Sequence, residues 1–305
     1  MFRELFALAI TLCFAVSVFA GDGSMAKLKV DHASICASQL EPLRAAFANA
    51  GLATDYGGPH ANGGTHMALL GFRDGSYLEL IAPMKPGGAD SSPWGKMIAK
   101  DAGACAWAIG TKDIRAEVNR LKLAGIPAEG PAPGSRKRPD GQTIQWQTAQ
   151  VGPGGAGSVL PFMIEDKTPR ELRVKPSAAV KDSGLAGISA VVIGVKDLDA
   201  SIALFREAYG FSEPKTEEQK DFGARLAYFP GTSVILATAL NNDGWLAKRL
   251  ETYGDSPVAF LLGTGSPGEA AKQFALADRG TWFGKNVQWF DPAKLHGVRL
   301  GVIEQ

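Results

Sequence analysis

A strand followed by an amphipathic helix recurs along the chain, and this repeat constrains the fold more than any other feature of the sequence. In the first copy, a strand over 30–37 leads into a helix over 39–50, and Gly51 stops the helix. Three further strand–helix pairs are predicted at 104–110 with 113–124, 188–195 with 197–209, and 258–262 with 269–277. Self-similarity of this kind indicates one supersecondary unit that is used several times.

Further strands follow each helix, separated by turns such as Asp74-Gly75 and Asp140-Gly141. We predict them at 66–72, 77–82, 143–150, 159–165, 224–229, 233–238, 287–290 and 298–303. The units are therefore of βαβββ type, and 305 residues are enough for two α+β domains with two units each. We place the domains at 28–165 and 186–305, with a linker rich in Lys, Pro and Ser at 166–185.

The first twenty residues resemble a secretory signal peptide. Arg3 supplies positive charge, an apolar run covers 5–19, and Ala20 precedes Gly21 as a small-residue cleavage site. An uncleaved membrane anchor is the alternative, because the run is only slightly shorter than a span. We expect cleavage after Ala20, a periplasmic or secreted protein, and no membrane attachment of the mature chain.

The charge of the chain excludes one class of partner. A net charge of +1 provides no field that would attract nucleic acid. The run Arg136-Lys137-Arg138 is interpreted as a solvated loop, with contact to an anionic ligand as the alternative, and Arg138 is the candidate for that contact. The expected partner is a small-molecule substrate, and a homodimer is an assembly that we keep open.

Two cysteines, Cys36 and Cys105, remain once the predicted signal peptide is removed. An exported protein reaches an oxidising compartment, which permits a disulfide between them. The alternative is two small buried residues with free thiols, and we favour this alternative because cysteine is often buried.

Three of the four histidines, His32, His60 and His66, lie in one stretch that ends in the strand containing Glu79. A carboxylate within an apolar strand is costly to bury unless a cation, a metal or hydrogen bonds satisfy it. Imidazoles and carboxylates are also what divalent metals and proton-transfer sites use. Strand alternation places His32 and Glu79 opposite the apolar faces of their strands. A metal site is one interpretation, and a hydrogen-bonded His–Glu pair without metal is the other.

Several motifs carry a family resemblance. They are Gly57-Gly58-Pro59-His60, Gly64-Thr65-His66-Met67-Ala68-Leu69-Leu70, Asp74-Gly75-Ser76-Tyr77-Leu78-Glu79-Leu80-Ile81-Ala82, Pro161-Phe162-Met163-Ile164-Glu165 and Thr168-Pro169-Arg170-Glu171. Together with the paired βαβββ units, they resemble the glyoxalase-like domain family of the vicinal oxygen chelate superfamily over about residues 28–175. The resemblance implies that each pair of units forms a cupped mixed sheet with a divalent metal inside it.

The resemblance also implies which residues would bind that metal. The first-strand and last-strand positions of the first unit fall at His32 and Glu79, and the last-strand position of the second unit falls at Glu165. The fourth position falls at about Ala106, which cannot bind metal. His66 is the residue that would supply the missing nitrogen.

The resulting functional hypothesis is a metal-dependent enzyme that acts on a small substrate with vicinal oxygens, as an isomerase, lyase or dioxygenase. Glu79 and His66 are the candidate catalytic residues. His60 and Trp107, together with Arg138, are the candidates for substrate binding. The alternative is a non-catalytic protein that sequesters a small molecule.

Overall fold

The computed structural model describes residues 28–61, 63–277 and 279–305, so the predicted signal peptide lies outside the described residues. The chain forms two eight-stranded mixed sheets. The first contains β1 (Val30–Cys36), β2 (Asp55–Pro59), β3 (Thr65–Gly71), β4 (Tyr77–Pro83), β5 (Gly103–Gly110), β6 (Ala128–Lys137), β7 (Thr143–Val151) and β8 (Phe162–Asp166). Its helices are α1 (Leu40–Asn49), α2 (Gly95–Ala99), α3 (Ile114–Leu123) and α4 (Arg170–Arg173).

The second sheet repeats this plan. Its strands are β9 (Leu185–Gly194), β10 (Lys215–Gln219), β11 (Ala224–Tyr228), β12 (Val234–Ala239), β13 (Ser256–Thr264), β14 (Arg279–Trp282), β15 (Lys285–Trp289) and β16 (Leu300–Glu304). Its helices are α5 (Leu198–Tyr209), α6 (Trp245–Tyr253) and α7 (Pro267–Gln273). The predicted α+β class with cupped mixed sheets is confirmed.

The order of the strands places the first strand of each unit at the centre of its sheet. The orders are β2-β3-β4-β1-β5-β8-β7-β6 and β10-β11-β12-β9-β13-β16-β15-β14. Within each unit the first strand pairs in parallel with the last, as β1 does with β4 and β5 does with β8. The first strands of the two units then pair with each other, antiparallel. This topology brings first-strand and last-strand side chains of both units into one concavity.

The helices of the repeat begin and end where local chemistry predicts. Asp113 and Asp197 stand in the same place in their units, and each side chain accepts a hydrogen bond from the backbone N–H three residues later, at 3.0 and 2.9 Å. Helix α5 ends at Gly210, whose φ of +67° is a left-handed conformation that glycine adopts without strain.

The strands that the sequence pattern failed to predict are β2, β6, β10 and β14, and these are the four edge strands of the two sheets. They are rich in Gly, Pro or charged residues, as in Asp55–Pro59 and Lys215–Gln219. An edge strand has one side free of ladder hydrogen bonds and resists unwanted pairing with such residues. The alternation that identifies an inner strand is therefore absent from them.

One apolar cluster contains residues of both sheets and of α1, α3, α5 and α7. Trp107 of β5 stacks against Phe205 of α5 within it, with ring centroids 6.5 Å apart. The two sheets therefore share a core. Within the described residues, no helix is both long enough and apolar enough to cross a membrane.

Cys36 and Cys105 form a disulfide between β1 and β5, with Cα atoms 5.9 Å apart. The prediction that favoured two free thiols is therefore wrong. The two strands are hydrogen-bonded neighbours with Ile35 opposite Ala104, so the register places the cysteines side by side. The pairing depends on the register of two strands that are distant in the sequence, so the spacing of the two cysteines did not predict it.

Candidate active site

The concave side of the first sheet encloses a cavity of about 600 Å³. Its polar side chains include His32, His60, Glu79, Arg136 and Arg173, and its apolar wall includes Met67, Leu69, Trp94, Trp146 and Phe162. A concave, largely apolar space with a few convergent polar groups is the usual form of a small-molecule site.

Glu79 lies in the middle of β4 and is nearly inaccessible to solvent, with 7% of its surface exposed. Its Oε2 accepts a hydrogen bond from the Ser34 hydroxyl at 3.0 Å, and its Oε1 lies 3.4 Å from Nε2 of His60. Burial alone would raise the pKa of this carboxyl group. The hydrogen bond and charge of His60, the charge of His32 and the Ser34 hydroxyl outweigh burial and lower the pKa to about 2. Glu79 is therefore an anion at neutral pH.

His32 is held in one tautomer by its neighbour in the sequence. Nδ1 of His32 lies 2.7 Å from Oδ1 of Asp31. Burial opposes ionisation of Asp31, but the His32 hydrogen bond and the charge of Arg173 outweigh it, so the pKa of Asp31 falls far below its usual range. An ionised carboxylate only accepts hydrogen bonds, so Nδ1 carries the proton. Nε2 lies 4.0 Å from Oε2 of Glu79, and it is a free acceptor whenever Nδ1 carries the only proton of the ring.

A β-bulge makes the Asp31–His32 contact possible. Along β1 the pairing with β5 steps from Val30 opposite Ile109 to His32 opposite Ala108, so Asp31 is an extra residue. A bulge interrupts strict alternation and redirects a side chain, which allows adjacent residues to meet. The His32 ring is held further by stacking on Tyr77, with centroids 4.7 Å apart.

Arg173 of α4 anchors the Asp31 carboxylate from the other side. Its two Nη atoms bind the two oxygens of Asp31, each at 2.9 Å, and its Nε and Nη2 bind Asp166 at 2.6 and 2.9 Å. Nη1 also donates to the Tyr77 hydroxyl at 2.7 Å, and Arg170 forms a second ion pair with Asp31. Two guanidinium groups thus neutralise two carboxylates beneath His32. The negative charges of this network raise the pKa of Arg173 above its usual range although burial opposes this.

Sequence reasoning missed Asp31, Arg136, Arg170 and Arg173. The signal for Asp31 was a second charged residue beside His32 in an otherwise apolar strand. For α4 the signal was a pair of arginines three residues apart after Pro169, in the segment predicted to be a linker. This segment, 166–185, instead contains α4 and a 3₁₀ turn, Ala178–Val180, and its first arginines complete the site in the first sheet.

His60 lies just beyond β2, at a seam that joins the two edges of the first sheet. Its backbone forms an isolated antiparallel bridge with Arg136, and the Ala61 N–H donates to the Ser135 carbonyl at 3.3 Å. Its Nδ1 lies 2.8 Å from the Thr65 hydroxyl, which leaves Nε2 directed to Glu79. The predicted candidate His60 is thus part of the cavity wall.

The structure does not bring the other candidates to the cavity. His66 lies on the face of β3 opposite Met67, within 3.4 Å of the Tyr56 hydroxyl. Glu165 accepts the backbone N–H of Ile114 at 3.0 Å and pairs with Lys167. Strand alternation turns both side chains to the helix side of the sheet, whereas their predicted roles require the concave side.

Trp107 and Arg138, which were predicted to bind substrate, also lie outside the cavity. Trp107 lies in the shared core, where its indole N–H donates to the Val159 carbonyl at 3.1 Å. Arg138 follows the end of β6, binds the Leu172 carbonyl at 2.8 Å and pairs with Asp140 at 2.9 Å. Two residues earlier in the same basic run, Arg136 lines the cavity instead.

The donor set of the cavity differs from the metal site that the resemblance implies. The second unit of the first domain presents Phe162 and Ile164 to the cavity from β8, and Ala106 stands opposite Ser34 on β5. Neither strand therefore offers a ligand. Among the described residues, no group of three or more His, Cys, Asp or Glu side chains is placed to hold a metal ion. The residues present do not fit a four-ligand metal site.

The concave side of the second sheet is apolar. A cluster that includes Val192, Leu226 and Leu261 fills it, and α6 covers it through Leu246 and Leu250. In the described part of this sheet, no counterpart of the His32–Glu79 pair is found.

Comparison with known proteins identifies the family. A family model for the glyoxalase-like domain matches residues 30–209. The chain belongs to the glyoxalase-like domain family. Its fold resembles a variant of 4-hydroxymandelate synthase from Streptomyces coelicolor, with a TM-score of 0.62 and 14% identity over 92% of this chain and 93% of that one.

A hypothetical protein from Staphylococcus aureus has the same architecture, with a TM-score of 0.60 and 14% identity over 90% of this chain and 99% of that one. A search of curated proteins finds no match. At such low identity, the structural likenesses establish the vicinal oxygen chelate fold of this glyoxalase-like protein. Its reaction has to be inferred from the residues of the site.

Proposed function

We propose that this glyoxalase-like protein is an enzyme that moves a proton on a small oxygen-bearing substrate bound in the first-sheet cavity. The observation that supports this proposal is the free Nε2 of His32, whose ring is fixed by ionised Asp31 on one side and stacked on Tyr77 on the other. An imidazole oriented by a buried carboxylate is a general base, and the carboxylate stabilises the imidazolium that forms.

The surrounding groups define what each side of the cavity does. Anionic Glu79 stabilises a positive charge on His32 and His60. Because Glu79 repels negative charge, the substrate oxygen that gains negative charge during the reaction must lie away from it. Burial raises the pKa of Tyr77, so its phenol stays protonated. The phenol oxygen accepts a hydrogen bond from Arg173, and its own proton has no acceptor among the described groups. Tyr77 is thus placed to donate to a substrate oxygen.

An isomerase or lyase that removes a proton next to a carbonyl group uses these roles directly: His32 takes the proton and Tyr77 supports the oxyanion. Metal dependence remains a prediction of the family resemblance. It is tested by metal analysis of the mature protein and by comparing His32→Ala and Glu79→Ala with the unaltered chain. A stoichiometric metal that both substitutions abolish would bear it out.

Proton transfer is measurable before the substrate is known. The purified protein is incubated in D₂O with a panel of α-hydroxyketones and 1,2-dicarbonyl compounds, and exchange at carbon is followed by NMR. We expect exchange with at least one compound, a fall of about 10² to 10⁴-fold in His32→Gln, and a smaller fall in Tyr77→Phe. His66→Gln is the matched control, because its imidazole lies on the opposite face of the sheet, and it should retain full exchange.

A non-catalytic binding protein is the second candidate, and the apolar cavity face formed by Ala106, Phe162 and Ile164 favours it. Compounds that bind without any exchange, with His32→Gln unchanged in affinity, would replace the enzyme proposal by this one.

We also propose export to the periplasm or beyond. The apolar run at 5–19 with its cleavage site supports this, as does the disulfide between Cys36 and Cys105, which forms in oxidising compartments. Cell fractionation and N-terminal sequencing of the expressed protein test it, and a cytosolic chain that retains Met1 would contradict it.

A further inference from the structure

Arg136 is a buried cation on the wall of the proposed active site. Only 6% of its surface is exposed, yet it lines the same cavity as His32 and Glu79. Its Nη1 donates to the Gly57 carbonyl and its Nη2 to the Arg173 carbonyl. Both partners are neutral main-chain oxygens, so the guanidinium is positioned but its charge is not neutralised by them.

The other buried charges near the cavity have charged or hydrogen-bonding partners of their own. Asp31 is bound by Arg173 and Arg170, Asp166 by Arg173, and Glu79 by Ser34 and His60. In the described part of the chain, no carboxylate oxygen lies within 4.0 Å of an Arg136 nitrogen. Burying a charge without a close counterion is costly, so an anion bound in the cavity would stabilise the Arg136 guanidinium.

Arg136 also retains hydrogen-bonding capacity. A guanidinium has five N–H groups, and the carbonyls of Gly57 and Arg173 use two of them, so three have no partner among the described residues. Burial lowers the pKa of Arg136, and the negative charge of Glu79 opposes this only in part. The free N–H groups are thus available to an acceptor in the cavity.

We infer that Arg136 binds the carboxylate of a small organic acid, and this inference rests on the proposed function of the same cavity. A planar guanidinium with free N–H groups matches the geometry of a carboxylate. Arg173, the other arginine of the lining, is saturated by Asp31 and Asp166, so one net positive charge is offered. One charge suits a monoanion, whereas a dianionic phosphate would leave excess negative charge near Glu79.

The rest of the ligand is apolar. Trp94, Trp146 and Phe162 line the same cavity, and a volume of about 600 Å³ accommodates an aromatic ring in addition to the carboxylate. Arg136 is bridged to His60 across the seam, and His60 contacts Glu79. A carboxylate on Arg136 therefore positions the adjacent carbon atoms beside the acid–base groups.

The test is isothermal titration of the mature protein with benzoate and phenylacetate, and with their uncharged analogues benzamide and phenylacetamide. We expect at least one acid to bind about tenfold or more tightly than its amide, because a charge-assisted hydrogen bond is replaced by a neutral one. Arg136→Gln should remove this preference and leave amide binding unchanged. Arg138→Gln is the matched control, since its salt bridge lies outside the cavity, and it should bind like the unaltered chain.

The comparison of acid with amide in the unaltered protein remains informative even if Arg136→Gln folds poorly. Equal affinity for acid and amide, no detectable binding of either acid at millimolar concentration, or an acid preference that survives in Arg136→Gln would each overturn the inference. Deuterium exchange that depends on His32 in a protein without acid preference would leave the proposed function standing. An acid preference without exchange would instead identify a carboxylate-binding protein.

Discussion

Replacing Asp31 by asparagine tests the charge network beneath His32 with a change of very few atoms. Asp31 accepts hydrogen bonds from Nδ1 of His32 at 2.7 Å and from both Nη atoms of Arg173 at 2.9 Å, and it also pairs with Arg170. Its side chain is 3% exposed, so water cannot replace these partners. The amide retains one acceptor oxygen but directs an NH₂ group at guanidinium donors.

The expected loss of stability follows from this geometry. Removing one partner of a buried ion pair costs about 3 to 5 kcal/mol. Arg173 keeps its two hydrogen bonds to Asp166, at 2.6 and 2.9 Å, so the lower end applies. We therefore expect Asp31→Asn to lower the free energy of unfolding, measured in urea, by about 3 kcal/mol. Asp140→Asn is the control, because its pair with Arg138 is 47% exposed on the Asp140 side and should be worth about 1 kcal/mol or less.

The same variant has a consequence for acid stability and for exchange. A carboxyl group with a depressed pKa stabilises the fold above its unfolded pKa of about 4, and this stabilisation is lost as pH falls toward the folded value. When the pH is lowered from neutral to below 4, Asp31→Asn should therefore lose less of its own free energy of unfolding than the unaltered chain loses. Deuterium exchange should fall as well, since His32 loses its anionic partner. A loss below about 1 kcal/mol, or one equal to that of Asp140→Asn, would refute the assigned role of Asp31.

Three further predictions concern other parts of the molecule. The pKa of Glu79 is lowered from 4.5 to about 2, so ionised Glu79 should stabilise the fold above pH 4.5, and this contribution should vanish toward pH 2. In acid unfolding, the contribution should be on the order of 3 kcal/mol in the unaltered chain and absent in Glu79→Gln. The disulfide between Cys36 and Cys105 spans 69 residues, so Cys36→Ala with Cys105→Ala should lower the free energy of unfolding by up to about 4 kcal/mol. Arg249 of α6 donates to first-domain and second-domain carbonyls, and Arg249→Met should cost about 2 kcal/mol or more in thermal unfolding.

Much of the fold was predictable because it follows from local patterns. Inner strands such as 77–82 alternate or run apolar, and the helices after Asp113 and Asp197 carry their own caps and stops. The edge strands were not predictable, because their Gly, Pro and charged residues serve to prevent further pairing and hide the periodicity. Short helices such as α2, with five residues, contain too little pattern to be recognised.

The site was predicted in part. His32, His60 and Glu79 meet in the cavity, as a buried carboxylate in a strand and a nearby histidine cluster suggested. His66 and Glu165 were predicted to lie in the cavity, but both lie on the other face of the sheet. The face on which a side chain lies depends on the register of the sheet, and a shift of one position along a strand moves the side chain to the opposite face. Arg138 differs for another reason: it follows the end of β6 and lies outside the cavity that Arg136 lines.

The sequence alone determined the repeated βαβββ units, their family and the strand positions of His32 and Glu79, because these depend on residues that are near one another in the chain. Only the tertiary structure decided that a bulge turns Asp31 toward His32 and that α4 returns more than 130 residues later to bind it. It also decided that Arg136 has no carboxylate within 4.0 Å among the residues that the structure describes. The ion pairs around Asp31 and the charge of Arg136, unpaired within the described ranges, depend on which charged groups the curled sheet brings together. Which groups meet is a matter of distances in space, which no local pattern in the sequence encodes.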